Sequence, residues 1–226
     1  MSFNYEDLIN IYKKHKIEYK NLTYKYISQI LNEAKPLHKK SFNGDDHEQS
    51  WRAFKGKNLE KLIVFIIEEE VQNLGLKIVD GNKLERTKEE NLSDELSHIK
   101  RNLLIDFGEY GYHLPDVDII VYEPNSCKVI AVLSSKVTLR ERIAQSGYWK
   151  LKLLSQNITK HIRVYFITPD EDGTLTRRNP AKKGRAIVEI DLDGTYVLTE
   201  MEIEESNKVK QFDKFIDDLK NILSNE

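Results

Sequence analysis

A single cysteine, Cys127, in a chain of 226 residues rules out any disulfide within the chain. That fits a reducing compartment, so a cytoplasmic location is expected. No apolar run approaches the ~20 residues that a membrane-spanning helix needs. The first residues have no basic segment leading into an apolar one, so no secretion signal is expected. The 5 prolines and 10 glycines are scattered, without an internal repeat or a low-complexity linker. A large excess of positive charge is missing too. With a net charge of −2, binding to nucleic acid would have to rest on local basic patches. What is present is a core-forming apolar fraction of 39% beside 32% charged residues. The length suits one domain over 1–226. We divide it into a helical part at 1–50, a core at 51–170, and a region at 171–226 with a basic loop, a hairpin and a closing helix.

Apolar spacing predicts helix over 5–35, ended by Pro36, then an exposed loop at 36–50. Residues 51–74 carry apolar side chains around most of a helix and stop at Gly75, so a largely buried helix is expected. Within it, Glu60 lies in line with Val64, Ile67, Val71 and Leu74. A carboxylate on such a face needs a partner. A short strand at 76–80, a turn at 80–82 and a charged helix at 88–103 follow. A third strand is expected at 161–169, a hairpin at 186–198 and a helix at 208–223.

The densest chemistry lies in 114–149. Two Val- and Ile-rich runs, 117–122 and 129–133, flank the turn-like Glu123-Pro124-Asn125-Ser126, which reads as a β-hairpin. Asp116 and Asp118 open the first strand; Ser134, Ser135 and Lys136 close the second. A hairpin brings those two ends together. Carboxylates beside an ammonium suit a hard divalent cation and a phosphate ester. Such a cation takes oxygen ligands and polarises a phosphoryl oxygen, and a lysine can stabilise the developing charge.

The series Pro115-Asp116-Val117-Asp118, hairpin, Ser134-Ser135-Lys136 resembles the PD-(D/E)xK nucleases, and among them the type II restriction endonucleases. The segment Lys136-Val137-Thr138-Leu139-Arg140-Glu141-Arg142 resembles the basic stretch that follows the lysine in several of them. The resemblance spans residues 51–149. It implies an α/β restriction-endonuclease-like fold with a central mixed β-sheet flanked by helices. It also implies Mg²⁺, with Mn²⁺ as a substitute, and a homodimer cutting a palindrome in double-stranded DNA. Candidate catalytic residues are Asp118, Lys136, Glu60, Asp116 and Ser134, with Asp118, Glu60 and Asp116 as metal ligands. Of the two aspartates, Asp118 is the better fixed, being flanked by strand residues. One departure stands out: Ser134 occupies the place where the family usually has an acid. A helix carboxylate must then stand in, and Glu60 and Glu141 are both open. Glu141 also fits a capping box with Thr138.

Candidate DNA contacts are Arg140 and Arg142 in the first turn of the following helix, Gln145 on the same helix, and the aromatic loop residues Tyr110 and Tyr112. The densest basic run adds Arg177, Arg178, Lys182, Lys183 and Arg185. A nuclease acting on DNA structure rather than sequence, or a DNA-binding module that has lost the chemistry, would share these features.

Overall fold

A computed structural model describes residues 2–138 and 142–224. Arg140 and Glu141 lie outside these, as does the side chain of Arg142. The chain begins with α1 (Tyr5–Tyr19) and α2 (Ile27–Ser41), joined by a 3₁₀ segment. Next come α3 (His47–Asn73), β1 (Lys77–Asp80), α4 (Gly81–Arg86) and α5 (Asp94–Leu103). A two-stranded ribbon follows, β2 (Ile105–Asp106) with β3 (Tyr112–His113). Then come β4 (Ile119–Glu123), β5 (Lys128–Ser135), α6 (Arg142–Leu154), β6 (Arg163–Thr168), α7 (Lys183–Asp191), β7 (Gly194–Val197), β8 (Val209–Gln211) and α8 (Phe215–Ser224).

Six strands form one mixed sheet in the order β1-β4-β5-β6-β7-β8. β1, β4 and β5 pair antiparallel; β5 to β8 pair parallel. Both faces are covered, so the inner strands are apolar throughout rather than alternating. Side chains of Ile119, Val121, Leu133, Tyr165 and Ile167 pack with α1, α2, α3 and α8. Those of Ile120, Val132, Val164 and Phe166 pack with α5, α6 and α7 on the other side.

The helix α3 runs for 27 residues, capped by the Asp46 carboxylate on the Gln49 N–H. Leu59, Leu62, Ile63, Ile67 and Val71 are buried along it. Each such side chain stabilises the docked helix by about 1.5–3 kcal/mol, which holds Glu60 at a fixed place above the sheet. Gly75, at φ 76°, supplies the left-handed turn that ends the run. A second glycine is required by close approach. The Gly81 N–H donates to the Asp118 carbonyl at 3.0 Å, and a Cβ there would meet the Val117 carbonyl oxygen at 2.0 Å. The start of α4 is thereby pinned against the strand that carries Asp118.

Several expectations are corrected. Pro36 does not end a helix but sits inside α2. It forfeits one backbone bond, yet Leu31, Ala34 and His38 on either side are buried. The exposed loop shrinks to 42–46, because α2 runs on to Ser41 and α3 starts at His47. The charged helix starts at Asp94, behind the Ser93 cap. Asp80 and Asn82 do not make a free turn: the Asp80 carboxylate caps α4. The hairpin expected at 186–198 is helix α7 followed by strand β7. Arg185 and Val188 are its buried positions, a spacing of three that suits a helix, and Leu192 is buried just past its end. The helix expected from 208 begins only at Phe215, because Val209–Gln211 adds a sixth, parallel strand.

Candidate active site

The start of β4 and the end of β5 lie side by side. The Asp118 N–H donates to the Leu133 carbonyl at 3.1 Å, and the Ser135 N–H donates to Asp118 Oδ2 at 2.7 Å. The carboxylate is therefore anchored by the neighbouring strand, and the residue is only 7% exposed. Lys136 follows directly. Its ammonium donates to Asp118 Oδ1 at 2.9 Å and Oδ2 at 2.7 Å, and to Glu60 Oε1 from α3 at 3.2 Å. The two strands of one hairpin and the distant α3 thus meet at one nitrogen.

This trio has a defined charge logic. Fully ionised, two carboxylates and one ammonium leave a net negative charge. Burial, and after it the charge of Asp118, push the Glu60 carboxyl up to about 7 against the opposing pull of Lys136. The cluster is therefore near neutral below that pH and anionic above it. Carboxylate oxygens from Asp118 and Glu60 form a hard donor set that suits a divalent cation such as Mg²⁺ or Mn²⁺. A cation there would relieve the pressure that keeps Glu60 protonated.

Asp116 is not drawn into the trio. It is exposed, and its Oδ2 accepts a bond from Gln145 Nε2 at 2.6 Å. Among the described residues, no group of three acidic, histidine or cysteine side chains converges on a metal position. Gln145 is accordingly engaged with Asp116, and both border the site. Ser134 lies in register with Phe166. It lines a small space between Gln145, Ser146 and Phe166, on the α6 side of the sheet.

The trio forms the floor of an open cleft of about 1460 Å³. Arg52, Lys57 and Lys61 of α3 line it, as do Lys83 and Arg86 of α4. None of these cations was singled out from the sequence. The signal existed on α3, where Ala53, Lys57, Glu60 and Val64 succeed one another at helical spacing and share the cleft wall. On α4 no local signal existed, since only the fold carries that short helix to the site.

The basic run 177–185 lies elsewhere; none of its residues lines the cleft. Arg185 cannot touch DNA at all. It is fully buried and bonds Glu189 at 2.8 Å, the Leu175 carbonyl, and the Glu204 carbonyl at 2.7 Å. Lys182 Nζ bonds the carbonyls of Asp172 and Gly173. Arg177, Arg178 and Lys183 are exposed. Tyr110 and Tyr112 stand on the β2–β3 ribbon, 74% and 65% exposed, away from the cleft. Arg185→Ala strands the buried Leu175 carbonyl, the part-buried Glu204 carbonyl and one carboxylate, so a loss of about 3 kcal/mol of stability is expected. The expected readout is a lower melting temperature, with DNA affinity per folded molecule unchanged.

The chain is similar to several known proteins. A family model described as BsaWI restriction endonuclease type 2 matches residues 95–218. A Methanocaldococcus jannaschii protein named as type II restriction enzyme MjaVIP is 38% identical over 199 residues, covering 84% of this chain and 86% of its own. A Helicobacter pylori protein named as type II restriction enzyme HpyAORF263P is 40% identical over 129 residues, covering 56% of this chain and 64% of its own. The fold is similar to that of restriction endonuclease AgeI in a DNA complex, with TM-score 0.59 at 14% identity, covering 94% of this chain and 91% of that one. It is also similar to PspGI bound to substrate DNA, with TM-score 0.57 at 13% identity, covering 97% and 93%.

Proposed function

Since this chain belongs to the BsaWI family of type II restriction endonucleases, we propose that it cuts double-stranded DNA at a short fixed sequence by hydrolysing one phosphodiester in each strand. The observation that carries the reading is the Lys136 ammonium, held between Asp118 and Glu60 at the floor of a cation-lined cleft. The trio is a PD-(D/E)xK arrangement in which the acid missing at Ser134 is replaced by Glu60 from α3.

Asp118 and Glu60 would hold a divalent cation, Mg²⁺ with Mn²⁺ as a substitute. When bound, such a cation polarises the phosphoryl oxygen and makes water a stronger nucleophile. The protein's own part is positional. Asp118 keeps its orientation through the Ser135 N–H. Lys136 presents an ammonium to the non-bridging oxygen or to the attacking water, where negative charge builds. Asp116 holds Gln145 at the rim and supports the site from outside. A homodimer acting on a palindrome supplies one such centre per strand, because two-fold protein symmetry matches two-fold sequence symmetry. The whole chain, 1–226, would act as one catalytic unit, working in the cytoplasm. No helix among the described residues is long and apolar enough to cross a membrane.

The test is digestion of phage DNA by the purified protein with and without Mg²⁺. Discrete fragments whose ends share one sequence are expected with the metal, and none after chelation. Cutting that ignores sequence, or binding without cutting under any divalent cation, would overturn the proposal.

A further inference from the structure

The cations of the cleft walls are set apart by their place, in the same cleft as Asp118, Lys136 and Glu60. Cations elsewhere are used in both ways: Arg101, Arg177 and Lys183 have no side-chain hydrogen bond or ion pair within the described residues, while others are committed. Lys35 pairs with Glu48, Lys77 with Glu95, Lys210 with Asp218 and Lys214 with Glu205. Lys55, at the cleft edge, is committed too, to Glu171 at 2.9 Å. By contrast Lys57 on α3 and Lys83 and Arg86 on α4 are exposed, line the cleft, and have no side-chain hydrogen bond or ion pair within the described residues. Arg52 extends the same wall of α3. These cations, from two different helices, line the same cleft as Asp118, Lys136 and Glu60. The placement of α4 is rigid, through the Gly81 N–H on the Asp118 carbonyl and the Asp80 cap. Free cations lining a concave site focus potential toward a polyanion. A bound strand would lie in the cleft with a phosphate over the floor.

We infer that the DNA backbone is gripped by the α3 and α4 walls, through Lys57, Lys83, Arg86 and Arg52, and not by the basic run 177–185. The run has the greater charge density in sequence, but Arg185 is buried, Lys182 is spent on backbone carbonyls, and none of it borders the reacting groups. The inference rests on the proposed nuclease function and names where that function holds its substrate.

Counterion release gives the test a readout that a folding defect does not mimic. Each phosphate contact removed should lower the slope of log affinity against log salt by about 0.9 on duplex DNA. A random-sequence duplex is the probe, bound in the absence of divalent cations, so neither target nor cleavage need be known. Lys57→Ala with Arg86→Ala is expected to lower the slope by nearly two contacts, and adding Lys83→Ala by nearly three. Melting temperature should stay within a degree or two, because all three side chains are exposed. Lys183→Ala with Arg177→Ala should leave the slope as in the wild type. An unchanged slope in the wall variants, or a slope lost in the 177–183 variant instead, overturns the inference while leaving the nuclease reading intact. A wild type with no salt-dependent affinity for duplex DNA overturns both.

Discussion

Lys136→Ala is expected to slow DNA cleavage by about 10²–10³-fold, the usual cost of removing one preorganised donor from a developing oxyanion, while duplex binding survives. The ammonium touches three carboxylate oxygens in this protein, so its loss has two consequences. The phosphoryl group loses its nearest charge partner apart from a bound cation. Asp118 and Glu60 also lose the charge that opposes their repulsion, so the Glu60 carboxyl moves further above its ordinary range. The variant should therefore melt lower than the wild type at both pH 5 and pH 8, because Asp118 loses its partner, with a wider gap at pH 8, where Glu60 would ionise as well. Binding should persist because the cations on α3 and α4 are untouched. Single-turnover nicking of a supercoiled plasmid measures the rate, and a gel shift without metal measures binding. Cleavage at the wild-type rate would remove Lys136 from the chemistry.

The parts of this site that could be read from the sequence are those that lie close along the chain. Asp118 and Lys136 are joined by a hairpin whose turn and β-branched runs are local signals, and pairing of the strand ends follows from them. Glu60 is 76 residues from Lys136. It could be noticed only as a carboxylate on an apolar helix line, and nothing in the sequence says which way that line faces. Lys83 and Arg86 could not be found at all, because a cleft is a property of packed elements. Arg185 misled in the opposite direction, since its neighbours in sequence are exposed cations. Its burial shows only when Arg185 and Val188 are recognised as one helix face. That recognition was blocked by β-branched Ile187, Val188 and Ile190 ahead of an Asp193-Gly194 pair, which look like a strand and its turn. Tertiary packing against α6 overrides that weak local preference. β8 was lost for the same reason: three residues pairing in parallel with β7 carry too little pattern to interrupt an apparent helix.

Glu60→Gln should separate the ionic from the structural role of this carboxyl. In the wild type without metal, the Glu60 carboxyl sits near 7 in the folded state against 4.5 in an ordinary setting. The folded protein therefore holds a proton that the unfolded chain has released between those two values. Stability from this group is fully present below about pH 4.5 and falls as pH rises to about 7. Glutamine keeps the shape, cannot ionise, and should flatten that part of the profile, so the variant loses less stability than the wild type on going from pH 5 to pH 8. Activity should move the other way. An ionised Glu60 is needed to join Asp118 as an oxygen donor, so the apparent affinity of the wild type for Mg²⁺ should strengthen with pH up to about 7 and then level off, with a proton released on binding at lower pH. In Glu60→Gln that pH dependence should vanish, and the Mg²⁺ needed for half-maximal cleavage should rise by at least about 10–100-fold, the loss typical of weakening a metal site by one group. Urea melts at pH 5 and pH 8, with Mg²⁺ titrations of cleavage at pH 6 and pH 8, give both readouts. If the variant keeps the wild-type Mg²⁺ requirement at both pH values, Glu60 only balances the charge of Lys136, and the second oxygen donor must come from elsewhere, with Asp116 across the rim the next carboxylate to replace.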